Sequence, residues 1–347
     1  MTGPRFHLRQ RLATLAAQQT VPHTRRLPHK DPSSRARSRF VLLSFAVVAV
    51  AAAAGAAWLL RDPLPHFLAR RSTLATVRVG AVTTEGAYRL QPVHLTATSG
   101  LAVDLMLRRA TADSALRLPL VVILGGHHTG REAARLLEDT RGTVVAAVSY
   151  PFSGDPRPDA ATFLREIPEI RGAFLDTPPA IMLALDYLLR RRDVDTSRVE
   201  AVGVSLGAPF VCIAGALDPR ITRVWALHGS GGSYVPLEAN MRRTIPFAPV
   251  RVAAAALANV IIAGPRLDPV HWVGRIAPRP FVMVNASGDE RLPHDAILSL
   301  YRAAHAPKEI VWMRGEHVHA DTATIRRLSD VVLTRVRAPA PDASPRR

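Results

Sequence analysis

Five short stretches of this chain, 119–124, 143–149, 199–204, 222–227 and 280–285, are almost wholly apolar. Runs that short and that uniformly apolar have the pattern of strands buried on both faces of a parallel sheet. Three more strand candidates, 88–96, 101–109 and 309–313, carry more polar residues. The first two are separated only by Ser99-Gly100, which predicts a hairpin. Between the strands, apolar residues recur at helical spacing over 131–138, 178–191, 206–217, 294–305 and 322–336. In the second of these, Thr177 is placed to cap the N-terminus and Pro178 and Pro179 to fill the first turn, where a missing N–H costs nothing. Ile181, Leu185, Leu188 and Leu189 then form one stripe. A hairpin followed by repeated strand-helix units predicts an α/β domain over 81–337, with a mostly parallel sheet and helices on both faces. The segment 233–270 breaks the alternation and is expected to form small capping helices.

Upstream the pattern changes. Residues 41–60 contain no charge, and a helix of that length is about 30 Å long, enough to cross a bilayer core. The expectation is one N-terminal transmembrane helix acting as a signal anchor, with a cleaved signal peptide as the alternative. Residues 1–40 hold nine Arg and Lys against Asp31 alone and are expected to be a basic disordered tail. More basic residues precede the span than follow it, which orients the N-terminus to the cytoplasm and the larger domain outside it. Pro63 and Pro65 suggest a stalk over 61–80, and 338–347 a second disordered tail. The formal charge of +17 raises nucleic acid as a partner. The basic tail, however, lacks interleaved aromatics and runs straight into an apolar stretch, so no nucleic acid is expected. A single cysteine, Cys212, excludes an internal disulfide and a Cys-rich metal site.

The chemistry concentrates at Gly203-Val204-Ser205-Leu206-Gly207, between an apolar strand and a helix. A nucleophile on a sharp strand-to-helix turn is strained, and the residues two before and two after it crowd together. Glycine at both places relieves that contact. Ser205 is thereby lifted to a helix N-terminus, where developing negative charge is favoured.

With this elbow, residues 88–337 resemble an α/β-hydrolase of the dienelactone-hydrolase and esterase/lipase kind. Dienelactone hydrolases use cysteine at the elbow, whereas this chain has serine, so the esterase comparison is the better one. The resemblance implies an eight-stranded, mostly parallel sheet and the chain order nucleophile, acid, histidine. It points to Asp289, in Ser287-Gly288-Asp289-Glu290-Arg291-Leu292-Pro293, as the acid, with Glu290 as its neighbouring alternative. The other usual acid position reads His228-Gly229-Ser230-Gly231-Gly232 and offers no carboxylate; His228 is read there as lining the pocket. The histidine is His317, in Arg314-Gly315-Glu316-His317-Val318-His319, with His319 second. Two backbone amides would form the oxyanion hole: Leu206, and His127 in the turn Leu124-Gly125-Gly126-His127-His128-Thr129-Gly130, with Gly126 or His128 as alternatives. Adjacent His127 and His128 bring no carboxylate pattern for a metal, and the turn has no Lys at P-loop spacing.

The expected activity is therefore hydrolysis of a small-molecule carboxylic ester, thioester or amide through an acyl-enzyme on Ser205, Asp289 and His317, with no cofactor. An acyltransferase using the same residues and a non-catalytic binding protein on the same fold are the alternatives. Tyr234, Val235, Ile245, Phe247 and Val250 in the capping segment suggest an apolar acyl group.

Overall fold

Ten strands make one sheet in the computed structural model, which describes residues 32–59, 61–113, 115–126, 129–152, 154, 160–318 and 322–338. They are β1 Leu74–Val79, β2 Thr83–Glu85, β3 Tyr88–Ala97, β4 Ala102–Ala110, β5 Leu118–Leu124, β6 Val144–Val148, β7 Val194–Val204, β8 Arg223–Leu227, β9 Phe281–Ala286 and β10 Lys308–Met313. The order across the sheet is β1-β3-β4-β6-β5-β7-β8-β9-β10, with β2 paired to β3. From β6 through β10 every pairing is parallel, and β3 and β4 form the predicted antiparallel hairpin. Gly100 takes φ +80° in its turn, a conformation that favours glycine. Every residue of β5, β6 and β9 is buried, which is why their sequences are apolar throughout except for Asn285, whose amide donates to Gly229 O.

All eight expected strands form, but the sheet has ten. The two additional strands come from 74–85, partly inside the segment expected to be a stalk. There the helix Leu64–Arg71 docks by Phe67, fully buried with its ring 5.9 Å from that of Trp272. Arg70 binds Asp176 through two nitrogens, at 3.0 and 2.6 Å to Oδ2. One buried aromatic and the ion pairs of Arg70 with Asp176 and Arg71 with Asp186 leave no periodic signal in a basic stretch, and β1 is exposed along most of its length.

A second correction concerns the prolines. The helix read as starting at Pro178 instead runs Ala160–Leu188, with Pro168, Pro178 and Pro179 inside it. Thr177 does not cap it; its hydroxyl donates to Ala173 O at 2.6 Å, one turn back. An interior proline costs about 3 kcal/mol. Here Ala180 through Leu185 are all essentially inaccessible to solvent, and their burial offsets that cost.

The other structural unit covers the N-terminal residues. Its helix spans Pro32–Leu59, and the side chains of Leu42, Phe45, Val48 and Val50 are exposed. Among the described residues no helix is long and apolar enough to cross a membrane. The expected transmembrane segment is thus a helix without further support as a span. Residues 1–31 of the expected basic tail and 339–347 of the C-terminal tail lie outside the described residues.

Candidate active site

The carboxyl ends of β7, β8 and β9 and the loop after β10 converge on one point. At the end of β7, Ser205 adopts φ +53°, and its amide donates to Leu227 O on β8 at 2.8 Å. The helix Gly207–Leu217 starts two residues later. A Cβ on Gly203 would meet Gly207 O at 2.5 Å, and one on Gly207 would run into Leu124 O of β5. Both glycines are therefore required by contact: Gly203 by the crowding across the elbow that the spacing predicted, Gly207 by the backbone of β5 and the turn after it.

Ser205 Oγ lies 2.8 Å from His317 Nε2, and His317 Nδ1 lies 2.8 Å from Asp289 Oδ2. Asp289 Oδ1 accepts the amides of Arg291 and Leu292, both at 2.9 Å, which fixes the carboxylate within its own loop. Burial pushes the Asp289 carboxyl up. Hydrogen bonds from His228 and His317, electrostatic attraction to the His317 ring and the Leu292 amide outweigh it and hold the group well below the usual carboxylate range. An ionised Asp289 can only accept, so Nδ1 of His317 carries the hydrogen and Nε2 is left to accept from the Ser205 hydroxyl. Both His317 and the Asp289 side chain are nearly inaccessible to solvent.

Glu290 does not substitute for Asp289. Its Oε2 accepts the backbone amide of His317 at 2.8 Å, so it fixes the loop that carries the ring rather than the ring itself. His228 has a role the sequence did not disclose. Its Nδ1 sits 3.2 Å from the same Asp289 Oδ2, while its ring meets that of His317 edge-on with centroids 5.1 Å apart. It does not line the cavity beside Ser205. The signal was strand adjacency: Leu227 of β8 pairs with Val284 of β9, so the residue after β8 must lie beside the loop that carries Asp289. Among the described residues, His228, Asp289 and His317 are the group that could hold a metal, with ligand atoms within 4.8 Å of one another. Each imidazole, however, already faces the shared carboxylate oxygen as a hydrogen-bond donor.

Leu206, directly after Ser205, lines the cavity, and so do Gly125 and Gly126. The turn after β5 is held from behind by Tyr150, whose hydroxyl donates to Gly125 O at 2.7 Å. Burial pushes that phenol up, so it remains a donor. His127, His128 and His319 lie outside the described residues. The capping segment does form short helices, Tyr234–Met241, Ala248–Ile261 and Gly264–Leu267. None of Tyr234, Val235, Ile245, Phe247 and Val250 lines the cavity, which corrects the expectation that they would contact an acyl group. Phe247 and Val250 are instead more than half exposed, at 65% and 52%.

No family model matches the chain, and no curated protein does. Solved structures do. An acetyl xylan esterase from Thermoanaerobacterium sp. JW/SL YS485 superposes with a TM-score of 0.57 at 14% identity, covering 79% of this chain and 91% of that one. An acetyl xylan esterase from Paenibacillus sp. R4 gives 0.54 at 17% identity, covering 78% and 90%. The chain therefore has the α/β-hydrolase fold.

Proposed function

We propose that this protein is a serine hydrolase that cleaves a carboxylic ester through an acyl-enzyme on Ser205. One observation carries the reading: an unbroken chain of 2.8 Å contacts from Ser205 through His317 to Asp289. His317 takes the Ser205 proton as Oγ attacks the carbonyl carbon, and Asp289 holds the imidazole in the tautomer that can accept it. The Leu206 amide, at a helix N-terminus, stabilises the oxyanion, with His127 proposed as the second donor. The same imidazole protonates the leaving alkoxide and then activates the water that releases the acid. The esterase names of the structural neighbours favour an ester over an amide. No step requires a cofactor.

The test is labelling with a fluorophosphonate alongside turnover of p-nitrophenyl esters. Wild type should label at Ser205 and hydrolyse, while Ser205→Ala should lose both and keep its circular-dichroism spectrum. A folded wild-type protein that neither labels nor hydrolyses overturns the reading.

Location is a separate proposal resting on the sequence alone. The uncharged run 41–60 behind an Arg-rich segment favours a membrane anchor with the hydrolase domain outside the cytoplasm. Recovery of the full chain in the soluble fraction after cell lysis would refute it.

A further inference from the structure

On one face of the sheet, Val121 and Ile123 of β5 and Val202 and Val204 of β7 recur every second residue, as side chains on a common face do. They form one wall of a cavity of about 350 Å³. The opposite wall is the C-terminal helix Thr322–Arg337, through Ile325, Leu328, Val332 and Leu333. Those positions fall at i, i+3, i+7 and i+8, one stripe of the helix. At the carboxyl edge of the sheet the same cavity is lined by Ser205, Leu206 and His317. Strand residues advance about 3.3 Å each, so Val121 lies roughly 13 Å along β5 from the turn at Gly125. The space is a channel that starts at the nucleophile and runs inward along the sheet.

Its origin is a helix that stops early. The pattern predicted a helix over 131–138, but only the single turn Ala133–Leu136 forms after a 3₁₀ turn at Gly130–Glu132. One turn cannot cover the face of β5 and β7, and the C-terminal helix spans the gap without filling it. Away from the site residues, the polar groups on the walls make few demands. Thr129 Oγ1 donates to Gly126 O at 3.0 Å, and Ser329 Oγ donates to Ile325 O at 2.7 Å, so both hydroxyls are already satisfied. The exception is Arg291, whose guanidinium lies 3.5 Å from Glu290 Oε1 and whose buried Nε makes no hydrogen bond.

We propose that this channel is the acyl site and that the protein prefers esters of medium-length, unbranched apolar acids. The inference rests on Ser205 as the nucleophile and specifies what it attacks. Bond formation between Ser205 Oγ and the carbonyl carbon leaves the acyl chain in the channel. The carbon–oxygen bond to the alcohol breaks, and the Ser205 proton passes through His317 to the departing alkoxide. Water then adds to the acyl-enzyme and releases the free acid, so no other reactant is consumed. With about 30 Å³ for each water-sized group, the channel holds roughly ten heavy atoms. Burying each methylene should raise kcat/KM about fourfold until the channel is full.

The experiment is a series of p-nitrophenyl esters from acetate to dodecanoate, assayed on the full chain and on Leu328→Trp, which places an indole across the channel. In wild type kcat/KM should climb to an optimum near octanoate and then fall. In Leu328→Trp the octanoate-to-acetate ratio should drop at least thirtyfold. Ile325→Phe, at a half-buried position nearer the helix start, provides the same comparison if the tryptophan variant does not fold. An acetate optimum in wild type, or an unchanged ratio in the folded variants, overturns the channel while leaving Ser205 as nucleophile. Failure of the wild type to label with fluorophosphonate or to cleave any ester overturns both.

Discussion

His228 and His317 present their Nδ1 atoms to a single oxygen, Oδ2 of Asp289, at 3.2 and 2.8 Å. His317 arrives from the loop after β10, and His228 from a left-handed residue at the end of β8, φ +48°. Two donors on one oxygen and two backbone amides on the other leave the carboxylate no freedom to rotate away from the imidazole. Asp289→Asn can present an amide N–H where an acceptor is needed, which selects the wrong His317 tautomer. A loss of about 10⁴ in kcat with an unchanged fold is expected. His228→Ala removes only the lateral donor, and a loss of roughly tenfold to a hundredfold should follow, the range for a hydrogen bond to a charged group. His228→Asn, whose amide nitrogen can replace Nδ1, should recover much of it. Equal activities for the alanine and asparagine variants would reduce His228 to a packing role.

Glu290 is the neighbour that sequence reasoning left open as the acid, and its geometry sets a graded expectation. Because its carboxylate accepts the His317 amide and not the ring, Glu290→Ala loosens the loop but leaves the His317–Asp289 contact in place. Its kcat should fall by roughly tenfold, the worth of one backbone hydrogen bond to a charge, far less than for Asp289→Asn. Steady-state kinetics of the two variants side by side would decide. A larger effect for Glu290→Ala would reverse their roles.

The elbow glycines make a prediction about stability. A methyl on Gly207 would strike the Leu124 carbonyl and stand 3.1 Å from Gly125 O, and both obstacles are backbone of the central strand and the turn after it. Gly207→Ala should cost about 1–3 kcal/mol, a fall in Tm of several degrees, and lower the rate by shifting the turn at Gly125. Thermal unfolding with near-wild-type Tm and kcat would show that β5 yields more easily than its central place implies.

How much of this was legible beforehand depends on whether a feature is local. Five of the eight expected strands were readable because near-complete burial writes itself as an apolar run, as in Leu118–Leu124. Ser205 was readable because the crowding at the elbow is between Gly203 and Gly207, only four residues apart. His228 was not, because its importance comes from the pairing of Leu227 with Val284, which joins residues far apart in sequence. The channel escaped for a related reason. Apolar residues in the capping segment and in the C-terminal helix look alike in sequence, and only the shortness of the turn at Ala133–Leu136 decides which of them face a cavity.

Glu200 lies mid-sheet on β7, only 5% exposed, with its Oε2 accepting the indole N–H of Trp225 at 2.7 Å. Burial pushes its carboxyl up, and the Trp225 hydrogen bond with the charges of Arg223 and Arg198 only partly opposes that. A carboxyl raised in the folded state holds its proton to higher pH than in the unfolded chain. Its contribution to stability is therefore complete below the ordinary value of 4.5 and is lost as pH rises through the folded value. Glu200→Gln keeps an oxygen for Trp225 and removes the charge. The variant should melt about 1 °C or more above wild type at pH 7–8, and the gap should close below pH 4.5. Melting curves from pH 4 to pH 8 test this directly. A gap that stays constant across the range would locate the effect in packing, and a less stable variant at neutral pH would mean that Arg223 and Arg198 outweigh the burial.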